Sequence, residues 1–150
     1  MIEPLTISFV VACGAEHAFS TWTARTSAWW PRQATMSGEA SVDVVFEPGV
    51  GGRIFERTAD GTEIDWGEIT LWDPPRRLGY LWHIATDRAS ATDVEIAFVE
   101  VADKATRVEI QHGGWERLGA ATAQSWRDTN RAGWDGVMPA YIGECAAHQT

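Results

Sequence analysis

One amphipathic stretch near the C-terminal end constrains this chain more than any other feature. We predict a single long helix from Ala120 to Ala147, with one face buried and the other in solvent. Pro139 cannot donate a backbone hydrogen bond, so a bend is expected between Asp135 and Pro139. The buried face needs a large apolar partner. Its residues recur in steps of three and four: Trp126, Asn130, Gly133, Trp134, Val137, Met138, Tyr141, Ile142 and Cys145.

The chain before this helix is patterned for an antiparallel sheet. Apolar and polar residues alternate from Leu5 to Val11, and again almost continuously from Val42 to His112. Two short helical segments separate these regions, at Glu16 to Thr23 and at Ala28 to Trp30. Short turns join consecutive strands, so neighbouring strands should be antiparallel. We predict one α+β domain over residues 1–150, in which a curved sheet of six to seven strands wraps around the C-terminal helix.

The strand predicted from Glu63 to Trp72 carries apolar residues on both faces. A β-bulge near Gly67 would bring them to one side of the sheet. If the strand keeps a single register instead, Glu68 faces inward among tryptophans, where a carboxyl group would have a raised pKa. The two sets are Ile64, Trp66 and Trp72 on one parity, and Ile69 and Leu71 on the other.

The acidic composition excludes several classes of partner. Twelve basic and twenty-one acidic residues give a formal net charge of −9, which repels phosphate backbones and anionic lipid surfaces. We therefore predict no nucleic-acid partner and no membrane insertion, since no stretch approaches the ~20 apolar residues of a membrane span. The apolar run from Leu5 to Ala12 alternates with polar residues and follows Glu3, so it is predicted to be a strand rather than a secretion signal.

No sequence motif predicts a cofactor or a metal. The glycine-rich nucleotide loops, the serine-hydrolase elbow and the zinc-protease helix motif are not found in the sequence. Cys13 and Cys145 are too few for a disulfide framework or a zinc site, so we predict a cytoplasmic protein with two reduced thiols and no cofactor. Only one of the scattered histidines, His112, shares the inward parity of its strand; the four are His17, His83, His112 and His148.

Nine tryptophans favour either a thick core or an aromatic-lined pocket. Inward parity places many rings between sheet and helix, where His112, Asn130 and Glu68 would add polar groups. We predict a binding cavity there, with no catalytic residue and no metal ligand assigned. The alternative is that the rings simply fill the core. The candidate ligand-binding residues are Phe46, Trp66, Glu68, Tyr80, Trp82, Phe98, His112, Trp126, Asn130 and Trp134.

Several local strings resemble the START/SRPBCC helix-grip superfamily, and within it the branch named after the heat-shock-protein-90 ATPase activator. They occur in the expected order over nearly the whole chain. The resemblance implies the helix-grip fold, and functions that range from co-chaperone domains through lipid and polyketide binding to aromatase or cyclase activity. The strings are Ala18-Phe19 with Trp22, Trp29-Trp30-Pro31, Pro48-Gly49 with Gly51-Gly52-Arg53, Gly67-Glu68-Ile69, Asp73-Pro74-Pro75-Arg76-Arg77-Leu78, Trp82, Thr106-Arg107-Val108 with His112, and Gly133-Trp134.

Three functions stay open at this point. The first is non-enzymatic binding of a hydrophobic or aromatic small molecule, with tryptophan walls and a hydrogen bond from His112 or Tyr80. The second is a cyclase- or hydratase-type enzyme that uses Glu68 or His112 as general acid or base. The third is a chaperone-interacting domain, which would need an exposed patch instead of a cavity. A homodimer is compatible with each of them.

Overall fold

Seven antiparallel strands form one sheet in the computed structural model, which describes residues 2–147. Strands β2 to β7 each pair with the strand next in sequence, and β1 pairs with β7, giving the order β1-β7-β6-β5-β4-β3-β2. The predicted antiparallel sheet is therefore confirmed. The strands are β1 (Leu5–Val11), β2 (Asp43–Phe46), β3 (Arg53–Arg57), β4 (Glu63–Asp73), β5 (Arg77–Trp82), β6 (Thr92–Ala102) and β7 (Ala105–Gly113).

Two short helices follow the first strand, α1 (Ala15–Thr23) and α2 (Thr26–Trp29), and the long helix α3 (Ala123–Ala147) closes the described chain. The α+β helix-grip architecture is confirmed. Helix α3 begins three residues later than predicted, because Gly119 adopts a left-handed φ of 99° and the chain turns there, with the Thr122 amide donating to the Gly119 carbonyl at 3.1 Å. Within residues 2–147, none of the helices has the length and apolar character needed to cross a membrane.

The core lies between the sheet and the helices, and Tyr141 of α3 lies at its centre. Its ring is fully buried and contacts Phe9, Trp22 and Trp29, with centroid distances of 6.2, 4.8 and 5.1 Å. Its hydroxyl donates to the Ala18 carbonyl at 2.7 Å. One side chain of α3 thus contacts β1, α1 and α2.

Strand β4 contains two bulges, which settle its mixed pattern. Trp66 is the extra residue opposite β3, and Thr70 is the extra residue opposite β5. The bulge predicted near Gly67 is confirmed, and glycine is required there because a Cβ would lie 2.1 Å from the Leu81 carbonyl oxygen. The first bulge lets Trp66 and Ile69 both be fully buried although their sequence parities differ.

The inward orientation considered for Glu68 is wrong. The bulge at Trp66 precedes Glu68, and the residue after Glu68, Ile69, points into the core. Glu68 therefore lies on the outer face of the sheet. Its carboxylate pairs with the exposed Arg88 guanidinium at 3.0 Å. Glu68 therefore does not enter the tryptophan-rich interior.

Substituting Tyr141 tests the role of this residue in the core. We expect Tyr141→Ala to lower the free energy of unfolding by about 3 to 5 kcal/mol, since it removes a buried ring. Tyr141→Phe removes only the hydroxyl bond to Ala18, so its expected loss is about 1 kcal/mol. Urea denaturation measures both values. Equal losses in the two variants would contradict the packing role of the ring.

Candidate functional site

A cavity of about 200 Å³ lies between α3 and the segments that follow α2 and β5. Its inner part is formed by buried Trp134 and Val137 of α3, whereas Ala85, Thr129 and Gly133 are exposed at its mouth. The lining is almost entirely apolar, and no charged side chain of the described residues belongs to it. It consists of Trp30, Ala34, Trp82, Ile84, Ala85, Trp126, Thr129, Asn130, Gly133, Trp134 and Val137.

Four of the predicted site residues line this cavity: Trp82, Trp126, Asn130 and Trp134. Three of them belong to α3 at spacings of four residues, so the helix presents them on one face. Trp30 also lines the cavity, although the sequence predicts it to be part of a helical turn. Its backbone is extended, with ψ of 122°, as expected for a residue that precedes a proline. That signal, at Trp30-Pro31, could have separated Trp30 from the helix.

Four predicted aromatic residues lie behind or away from the cavity. Trp66 is fully buried and contacts two lining residues, Trp30 and Trp82, at 5.1 and 5.7 Å between centroids. Tyr80 and Phe46 contact each other at 5.5 Å beneath Trp82, and burial raises the pKa of Tyr80 far above its usual value. Phe98 packs against Phe19, at 5.3 Å, and does not line the cavity.

His112 is fully buried and links two walls of the cavity. The Trp134 indole Nε1–H donates to its Nδ1 at 3.0 Å, and its Nε2 lies 2.7 Å from the Thr92 hydroxyl. The Thr92 hydroxyl in turn donates to the Trp82 carbonyl at 3.2 Å. Because an indole can only donate, Nδ1 must accept and the histidine proton must be on Nε2. The chain of bonds therefore runs from Trp134 through His112 and Thr92 to Trp82.

This bonding determines what His112 can do chemically. Burial lowers the pKa of His112 to about 3, so the ring is neutral near pH 7. Both ring nitrogens have partners within the protein. His112 is therefore suited to hold Trp134 in position. These bonds leave neither ring nitrogen available to a substrate, which argues against His112 as a general acid or base.

The buried carboxylate Glu56 was not predicted as part of the site. It accepts hydrogen bonds from the Met36 and Ser37 amides at 2.6 and 3.0 Å, and from the Trp66 indole at 2.9 Å. Burial alone would raise the pKa of Glu56, but these hydrogen bonds outweigh it and lower the pKa. Glu56 lies two residues after the buried Ile54 in β3 and so faces the same side of the sheet. This alternation was the sequence signal that could have predicted its burial.

The indole N–H groups around the cavity mostly point away from it. Trp30 donates to the Ala34 carbonyl at 3.1 Å, Trp66 to Glu56, and Trp134 to His112. The polar side chains in the lining are Asn130, whose amide donates to the Trp126 carbonyl at 2.9 Å, and Thr129. The cavity therefore offers ring faces and two neutral hydrogen-bonding groups. Within residues 2–147, the acidic, cysteine and histidine side chains form no cluster that could hold a metal ion.

A curved sheet around a long C-terminal helix makes this a helix-grip protein. The family model described as "Activator of Hsp90 ATPase homolog 1-like protein" matches residues 12–142, and the chain belongs to this family. The resemblance predicted from the sequence strings is confirmed. No curated protein matches the chain in sequence.

Solved structures of similar proteins have diverse names. The anthrahydroquino-gamma-pyrone synthase Txn09, complexed with SUM, is 38% identical, with a TM-score of 0.60 over 83% of this chain and 84% of that chain. CalC, a self-sacrificing resistance protein from Micromonospora echinospora, is 25% identical, with a TM-score of 0.67 over 98% of each chain. PFC0360w, an HSP90 activator from Plasmodium falciparum, is 18% identical, with a TM-score of 0.54 over 75% and 73% of the two chains. The likeness to PFC0360w shows the fold alone.

The buried His112 predicts a specific dependence of stability on pH. Its pKa is about 3 in the folded state and about 6.5 when unfolded, so its stabilising contribution is complete above pH 6.5 and is lost as the pH falls. The expected slope is up to about 1.4 kcal/mol per pH unit below pH 6.5. His112→Gln should be less stable than the wild type at pH 7.5. Its free energy of unfolding should fall less steeply than that of the wild type between pH 6.5 and 5. Urea midpoints at several pH values measure this, and parallel curves for the two proteins would refute it.

Proposed function

We propose that this protein binds an uncharged aromatic small molecule in the cavity between α3 and the sheet. The observation that carries the proposal is the lining itself, in which four tryptophans surround a space of about 200 Å³. Pockets for small organic ligands combine such apolar walls with a few polar groups that fix orientation. Asn130 and Thr129 would supply those groups here, by hydrogen bonding to a hydroxyl or carbonyl of the ligand.

The charge of the protein favours a neutral ligand. Among residues 2–147, no lysine, arginine or histidine lines the cavity to pair with an anion, and no carboxylate lines it to pair with a cation. Moving an unpaired charge into an apolar site is costly. The formal net charge of −9 also repels anions from the whole molecule. An uncharged phenol, quinone or ketone on a flat ring system fits these conditions.

An enzyme that closes a ring is the second candidate. It is favoured by one observation, the 38% identity to a protein named as an anthrahydroquino-gamma-pyrone synthase. Since no titratable side chain of residues 2–147 lines the cavity, acceleration would come from holding a flexible precursor in the reactive conformation, with Asn130 bonded to a developing oxygen charge. A chaperone partner, a homodimer and a cytoplasmic location stay predictions.

Binding can be tested with two probes that share one ring system and differ in charge. We expect 2-naphthol, which is neutral at pH 7, to quench tryptophan emission saturably, and 2-naphthoate to bind at least about tenfold more weakly because its charge is unpaired. Burial of about 200 Å² of apolar surface contributes up to about 5 kcal/mol, which corresponds to a dissociation constant of about 0.2 mM. Immobilisation costs weaken this value, so we expect a dissociation constant in the millimolar range.

Two variants, each with one tryptophan replaced by phenylalanine, identify the site of quenching. Trp126→Phe alters the cavity lining, so it should reduce the quenched amplitude. Trp72→Phe is the control, because Trp72 packs against Phe19 and does not line the cavity, and it should leave the amplitude unchanged. If the folded wild type shows no saturable quenching by neutral aromatic probes, the binding proposal fails.

The enzymatic alternative makes a separate prediction. An aromatic precursor that cyclises slowly in buffer should cyclise faster with wild-type protein, and the Asn130→Leu variant should bind it but accelerate it at least about tenfold less, as for loss of one oxyanion donor. Liquid chromatography of the products measures both rates. Binding without any change in the rate would leave the protein a binding module.

A further inference from the structure

The mouth of the cavity is formed by small residues, in contrast with its tryptophan walls. Gly133 of α3 lies on one side and Ala85 on the other, and both are exposed. Ala85 adopts a left-handed φ of 65°, a conformation that is disfavoured for larger and especially β-branched side chains. Ala34 is a third small residue in the lining. The opening is therefore bounded there by backbone and methyl groups and is not blocked by large side chains.

Neither packing nor backbone conformation requires glycine at position 133. It lies inside α3, outside the left-handed region, and a Cβ built there would meet no atom within 4 Å. Alanine would stabilise the helix at such a position. Gly133 is one of the lining residues and is exposed at the mouth of the cavity, so a side chain there would lie at the cavity's edge.

A side chain at this position would take space from the ligand. Gly133 lies on the helix face that also presents Trp126, Asn130 and Val137, at separations of seven, three and four residues. An engineered cavity of 150 Å³ holds benzene, so the cavity of about 200 Å³ found here suits a ring system somewhat larger than benzene. Even one or two added methyl groups would then reduce the space left for a ligand and weaken its binding.

We infer that Gly133 is the specificity-determining position of the cavity and that the ligand is a flat, fused-ring molecule whose edge lies against the bare helix backbone there. The inference rests on the proposed binding function and deepens it, since it selects planar molecules over puckered ones of the same carbon skeleton. The tryptophan faces stack on such a ring system, and the missing side chain at Gly133 leaves room for its edge.

The chain offers a matched control for this inference. Gly136 also lies inside α3, and a Cβ there would likewise meet nothing within 4 Å, but Gly136 does not line the cavity. Gly133→Ala and Gly136→Ala should each raise the Tm by about 2 to 4 °C, because both replace a helical glycine. Only Gly133→Ala should affect binding.

Calorimetric titration with 2-naphthol and decahydro-2-naphthol, its puckered saturated analogue, provides the test. The wild type should bind 2-naphthol more tightly than the saturated analogue. Gly133→Ala should weaken 2-naphthol binding by about tenfold, Gly133→Val should abolish it, and Gly136→Ala should stay within about twofold of the wild type.

Each outcome decides one of the two proposals. If both alanine variants bind 2-naphthol as tightly as the wild type, or if the puckered analogue binds equally well, the inference about Gly133 and planarity is overturned while the binding function stands. If the wild type binds neither probe, the binding function itself fails, and the inference with it. Gly133→Ala keeps the test decisive if Gly133→Val does not fold, because its Tm reports an intact fold.

Discussion

The structure depends on covering the apolar face of α3 with the concave side of the sheet. The buried residues of α3 are Ala123 at its start and five residues from its middle onward: Trp134, Val137, Met138, Tyr141 and Cys145. A helix that carries three internal glycines and Pro139 has weak intrinsic stability, so tertiary contacts must hold it. Tyr141 provides them at the centre of the core, and Trp134 provides them beside the cavity. The same contacts therefore stabilise the fold and position the cavity wall.

Hydrogen bonding explains why many tryptophans can surround one small space. A buried indole needs an acceptor for its N–H, and a cavity lined by such donors would be polar. Here two of the acceptors, His112 for Trp134 and Glu56 for Trp66, do not line the cavity. The Trp30 indole donates to the backbone carbonyl of Ala34. The rings are fixed from their outer edges, and their apolar surfaces remain for a ligand. The two buried polar residues are thus parts of the support and do not line the cavity.

The fold could be predicted from the sequence because its signals are periodic and extend over many residues. The alternation from Val42 to His112 and the helical spacing near the C-terminal end each repeat often enough to outweigh local exceptions. The cavity was predictable only in part. Four of the predicted residues line it: Trp82, Trp126, Asn130 and Trp134. The periodicity of a single strand or helix was enough to predict which way their side chains point.

The missed features depend on local breaks in periodicity. A single extra residue, Trp66, reverses the facing of the residues between it and the second bulge at Thr70, and so Glu68 lies outside. Parity also says nothing about depth, which is why the inward-facing Phe98 lies away from the cavity, against Phe19. Trp30 joins the lining because Pro31 forces it into an extended conformation. Each of these outcomes follows from one residue, and a pattern averaged over many residues does not resolve it.

The separation of titratable groups from the cavity has a consequence for pH. Both buried titratable residues of the support favour one charge state, neutral for His112 and ionised for Glu56. As the pH falls below about 6.5, unfolding is favoured first by the histidine, and below about 4.5 by the carboxylate as well. A neutral ligand, however, would meet none of the described side chains whose charge changes in either pH range. Acid should therefore reduce the population of folded protein without changing the intrinsic affinity of the molecules that stay folded, because the groups that respond to protons are not the groups that contact the ligand.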